Sequence, residues 1–135
     1  MAGASDSTVK DERQLEAYHL HLRTDGIAQV TILHGAHVTE AASIELNEAI
    51  RELSGGQVPL PIMVDITPPH QTDVDARRYG TTPAALEITR RLALLTNSPV
   101  TRMMGNAFLL AKRPPYPTRL FSDEQSAIEW LLQDG

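Results

Sequence analysis

Four of the five histidines fall around one stretch of chain: His19, His21, His34 and His37. Three or four convergent imidazoles make a zinc, nickel or copper site. His19 and His21 lie two apart on an alternating stretch and share a face. His34 sits at the other parity and His37 in the loop beyond. This spacing does not gather the four, so neither a metal site nor a cofactor is expected. His70, between Pro69 and Gln71, is an isolated candidate acid or base. Absence of cysteine excludes a disulfide scaffold, a thiolate zinc site and a cysteine nucleophile. No Gly-x-Ser-x-Gly nucleophile elbow occurs. Gly55-Gly56 lacks the following Lys-Ser or Lys-Thr of a phosphate loop. Asp65 closes an apolar run, where α/β sheets place functional groups, and equally suits capping of the next turn's amides. These patterns lead us to expect no enzyme.

Charge is the stronger signal. The formal net charge is −5, yet residues 77–119 hold eight basic side chains against Glu87 alone. They are Arg77, Arg78, Arg90, Arg91, Arg102, Lys112, Arg113 and Arg119. An acidic total disfavours nonspecific nucleic-acid binding, while a local basic block attracts an anionic partner. The simplest use of these arginines is pairing with the acidic N-terminal half, within the fold or across a dimer. The six aromatics are too few for a stacking platform that reads single strands.

The elements that must position these groups follow from periodicity. Residues 1–14 are small, polar and charged with no apolar period, and a flexible tail is expected before a single domain over residues 15–135. Tyr18 to Leu22 and Ala28 to Ile32 alternate strictly, as half-buried strands do. A three-residue turn with Gly26 left-handed pairs Tyr18 with Ile32, Leu20 with Val30 and Leu22 with Ala28, placing all the apolar residues on one face. Thr39 caps a helix with an Ala42, Leu46, Ala49, Ile50 and Leu53 stripe, stopped at Gly55-Gly56. Leu60 to Ile66 reads as an interior strand. A weaker helical stretch spans Asp73 to Thr89, interrupted over Gly80 to Pro83. Leu92 to Thr96 is a further strand, and Ser98-Pro99 starts a helix. Its stripe, Val100, Met103, Met104, Ala107, Phe108 and Ala111, is expected to be core. After a proline-rich loop, Thr118 to Phe121 forms a last strand and Ser122 to Gln125 a capping box. The fold expected is an α/β sandwich: a mixed β-sheet with a leading β-hairpin and α-helices packed on it.

Motifs from Asp65 onward resemble the STAS, or SpoIIAA-like, family of bacterial anti-sigma-factor antagonists. Met63-Val64-Asp65-Ile66 matches its aspartate-ended central strand. Leu94 to Val100, with Asn97-Ser98-Pro99, is similar to its second strand and helix start. Asn97 to Trp130 also resembles a small uncharacterised family of bacterial STAS-like proteins. The resemblance covers most of residues 15–133 and implies a SpoIIAA/STAS-like sandwich. It also implies a docking surface at Asp65, Thr72, Asp73, Arg77 and Arg78. Where the family carries its phosphorylated serine, this chain has Val74, which cannot accept phosphate. Asp73 and Asp75 would instead give permanent negative charge at a helix start.

Two functions of different class remain. One is a noncatalytic protein-interaction module, itself a homodimer. The other binds a small anion, such as a nucleotide or lipid headgroup, at the 77–119 block, with Arg102 acting beside free helix amides. Missing cysteines fit a reducing cytoplasm, the location expected. No apolar run approaches the roughly 20 residues of a membrane span, and Met1 to Arg13 lacks a signal peptide's apolar stretch.

Overall fold

The computed structural model describes residues 9–133. Its main sheet holds β1 (Val9–Gln14), β2 (Tyr18–Arg23), β3 (Ala28–Ile32), β5 (Leu60–Asp65), β7 (Thr89–Leu95) and β8 (Thr118–Phe121), in that spatial order. The first three strands run antiparallel, and β3, β5, β7 and β8 are mutually parallel. A second, two-stranded parallel sheet pairs β4 (Ala36–Val38) with β6 (His70–Thr72). The helices are α1 (Glu40–Leu53), α2 (Val74–Tyr79), α3 (Pro83–Ile88), α4 (Pro99–Lys112) and α5 (Glu124–Leu131).

The β2–β3 hairpin has the expected register, with Leu20 opposite Val30 and Leu22 opposite Ala28. Gly26 has φ +91°, the left-handed conformation such a turn needs. Tyr18, Leu20, Leu22, Val30 and Ile32 are buried, while His19, His21, Gln29 and Thr31 face the other side half-exposed. The first apolar layer joins these residues to Ile50, Ile62, Ala76 and Ile88 beneath α1, α2 and α3. On the opposite face, Met63, Ala93 and Phe121 pack against Ala127 and Leu131 of α5. Two strand faces covered by helices account for the continuous apolar run of β5.

Several expectations need correction. Val9–Gln14, taken as part of a tail, forms β1 at the sheet edge. Its main chain pairs with β2, so it requires no apolar alternation, and its exposed Asp11 and Glu12 suit an edge strand. Residues 1–8 of that segment lie outside the described residues. The three-residue strands β4 and β6 are too short to leave a period. The last helix is capped by Asp123, which accepts from the Ser126 N–H at 2.8 Å, one residue later than the expected box.

The largest departure is α4. Its apolar stripe was expected in the core, yet no residue of α4 is buried. Met103 and Met104 are 68% and 67% exposed, and Val100 and Phe108 both 59%. Helical spacing places apolar residues on one side without saying which way that side faces. The seat of α4 is instead the Gly105, Asn106 and Leu109 side, roughly opposite the stripe at about 100° per residue. A Cβ on Gly105 would stand 2.7 Å from Leu120 Cδ2, so glycine permits the approach to β8. The Asn106 amide accepts from the Leu120 N–H at 2.9 Å and donates to the Leu120 carbonyl at 3.3 Å, occupying the main-chain groups of the β8 edge.

Candidate functional site

The basic block divides by the work its members do. Arg90 and Arg91 lie in β7 and donate to the Leu131 and Trp130 carbonyls, at 3.1 and 2.7 Å. Cations there satisfy the open end of α5 and suit its dipole. Arg91 also lies over the Trp130 ring, and Arg119 over Phe121. These three serve the fold. Arg102, in the first turn of α4, helps hold the Asp123 carboxyl below the usual carboxylate range, after the larger effect of the Ser126 N–H.

Arg77, Arg78, Lys112 and Arg113 instead converge on one exposed groove of about 580 Å³ between α2 and the end of α4. Its apolar wall is Val74, Phe108, Leu109 and Pro114. Through Arg77, Thr81, Leu109 and Pro114 the groove adjoins a pocket of about 430 Å³ over the sheet. Val64, Ile66, Leu92, Leu94 and Tyr116 line that pocket. Tyr116 closes one side, its hydroxyl donating to the Gly80 carbonyl at 2.7 Å.

The other residues suggested by sequence separate into small local contacts. Asp65 accepts from the Thr67 N–H at 2.9 Å, the turn-capping role. Asp73 lies 2.6 Å from His37 Nε2, linking α2 to the small sheet. Asp75 pairs with Arg78 at 3.2 Å. Thr72 lines the pocket over the sheet, and Arg102 is not among the groove residues. Thus Arg77 borders both cavities, with Thr72 in the pocket and Arg78 in the groove, and Asp65, Asp73 and Arg102 line neither. His70 Nδ1 donates to the Pro68 carbonyl at 2.6 Å, a turn-holding contact.

The histidines also divide. His34 is exposed in a turn and His37 belongs to the Asp73 pair. His19 and His21 meet edge to face, ring centroids 4.5 Å apart, and β1 brings Glu12 beside both. Glu12 Oε1 lies 2.9 Å from His19 Nε2 and 3.9 Å from His21 Nε2. Sequence reasoning missed Glu12 because its strand was read as tail. It missed the groove because α4 was read as core. The Gly105-Asn106 pair inside a helical pattern was the available signal of a close approach on that side.

A family described as a domain of unknown function (DUF7793) matches residues 20–133. The chain belongs to the DUF7793 family. None of the curated proteins compared matches it. An uncharacterised DUF3478-family protein with a SpoIIAA-like fold, from Shewanella loihica PV-4, is 14% identical with a TM-score of 0.59. That match covers 88% of this DUF7793 chain and 97% of the other. A protein of unknown function from Arthrobacter sp. FB24 is 33% identical, covering 90% of this chain and 97% of that one, with a TM-score of 0.32. The DUF7793 chain therefore has a SpoIIAA-like fold. Among the described residues, no helix is long and apolar enough to cross a membrane.

Proposed function

We propose that this chain is a noncatalytic, STAS-like interaction module that self-associates through the outer face of α4. The supporting observation is the stripe itself: Val100, Met103, Met104 and Phe108 each expose more than half their surface. A contiguous apolar patch of a few hundred Å² marks an interaction site. Methionine suits such a surface, being unbranched and polarizable. A second copy is the favoured occupant because one uncharged stripe is self-complementary about a two-fold axis, which closes the association. Arg102, Lys112 and Arg113 lie at the helix ends, where helices crossing near 50° keep like charges apart. Roughly 800 Å² per partner makes a stable interface, so the stripe forms its centre and neighbouring residues its rim.

The charge change Met104→Glu tests this. Light scattering after size exclusion should find the variant folded and monomeric. Reversing Arg77 and Arg78 to Glu should leave association intact, since both lie on the α2 side of the groove. A Met104→Glu protein that still associates would remove α4 from the interface.

The groove supports a second reading, in which an anionic ligand binds at Arg77, Arg78, Lys112 and Arg113. Its apolar wall favours a ligand with an apolar body, such as a lipid headgroup with its chain, over a nucleotide. Partner docking at Asp65, Thr72 and Asp73, which the STAS resemblance implies, would use the adjoining edge. A true ligand stabilises by about 2.7 kcal/mol at a hundredfold excess over its dissociation constant. Thermal shifts with a short-chain anionic phospholipid and with ATP separate the two ligand types, and no shift with either would discard this reading.

A further inference from the structure

The geometry points to a divalent transition-metal site at Glu12, His19 and His21, on the sheet face that α5 leaves open at β1 and β2. All three donor atoms lie within 4.8 Å of one another. Tetrahedral zinc with ligand bonds near 2.1 Å needs donors about 3.4 Å apart. The Glu12–His19 and Glu12–His21 separations of 2.9 and 3.9 Å bracket that value. Glu12 is exposed and both histidines half-exposed, so side-chain rotation closes the difference.

His19 supplies an independent reason. Its Nδ1 lies 2.7 Å from Gln14 Oε1, and its Nε2 lies 2.9 Å from Glu12 Oε1. Gln14 donates through its own Nε2 to the Leu15 carbonyl, at 3.3 Å, which fixes its oxygen toward His19. The ring thus stands between two oxygens that only accept. A neutral imidazole carries one proton and satisfies one of them. The other nitrogen then turns its lone pair toward an acceptor oxygen, a mismatch that a bound cation between them removes. With Nδ1–H donated to Gln14, Nε2 is the coordinating atom, and a ligand histidine held by its other ring N–H on an oxygen acceptor is a recurrent arrangement around metals.

Two imidazoles and one carboxylate favour zinc, nickel or copper over magnesium or calcium. Three protein ligands leave a fourth position for water or an exogenous group. A bound ion would also clamp β1, the edge strand, to β2. None of this depends on α4 or on self-association.

The test uses tag-free full-length protein and isothermal titration with zinc chloride, repeated with nickel. The expected result is one ion per chain with micromolar or tighter affinity. Glu12→Gln and His21→Ala should each weaken it at least tenfold while leaving the circular dichroism unchanged. Imidazole ¹⁵N NMR should place the perturbation on His19 and His21 and spare His34, His37 and His70. No binding, or binding undiminished in the folded Glu12→Gln/His21→Ala double variant, would overturn the site.

Discussion

Tyr116 links the loop before β8 to the end of α2, its hydroxyl donating to the Gly80 carbonyl. Burial raises its pKa above the ordinary value near 10, as it does for Tyr18, where a Ser43 hydrogen bond partly offsets the effect, and for Tyr79, where the Glu48 charge adds to it. The sign of the pH dependence follows. The unfolded chain loses these protons first, so the contribution is complete below about pH 10 and is lost as pH rises through the higher folded-state values. Tyr116→Phe should cost about 0.5–1.5 kcal/mol at pH 7 by urea denaturation, the net value of a typical hydrogen bond. It should also make the alkaline decline shallower, because one of the three raised tyrosines is gone. An unchanged decline would mean that Tyr116 does not titrate with unfolding. His21 was legible as a polar-face residue, since Leu20 and Leu22 fix its parity. Its neighbour Glu12 was not, because an edge strand held by main-chain pairing carries no apolar period.

At the level of elements, the seat of α4 rests on two residues that are poor helix formers. Asn106 makes both hydrogen bonds to the Leu120 main chain, so Asn106→Ala should destabilise by roughly 1–3 kcal/mol, leaving a buried edge amide and carbonyl short of partners. Asn106→Asp keeps the acceptor for the Leu120 N–H and should lose less. Gly105→Ala would gain about 1 kcal/mol from helix propensity on an open surface. Here the added methyl meets the buried Leu120 side chain, and thermal unfolding should show a net loss. A stabilised Gly105→Ala protein would mean that α4 sits further from β8. The same helix explains where sequence reading stopped. Its boundaries, cap and apolar stripe were readable from Ser98-Pro99 and the spacing of Val100 to Ala111. The direction of the stripe was not, because amphipathic period defines a face and tertiary context decides what covers it. The hairpin differed: a single register put every apolar residue on one side, which left one arrangement. The two arginines of β7 were legible as charge and not as caps for α5, a partnership across 39 to 41 residues of sequence.

Over the whole molecule, apolar surface and charge are distributed unequally. Two helical layers bury both faces of the central strands, and α4 carries its methionines and Phe108 outward at the β8 edge. Exposed acids line α1 at Glu40, Glu45 and Glu48, whereas the free end of α4 is basic. That division concentrates the apolar surface in one stripe and supports association through it, with electrostatics setting orientation more than strength. Weakening by salt should therefore be modest, because the centre of the interface is uncharged. Sedimentation equilibrium of the tag-free chain across low to tens of micromolar tests self-association most directly. The predicted result is a species of twice the 14.8 kDa chain mass that dissociates on dilution and is lost in Met104→Glu. A strictly monomeric wild-type chain at tens of micromolar would contradict it.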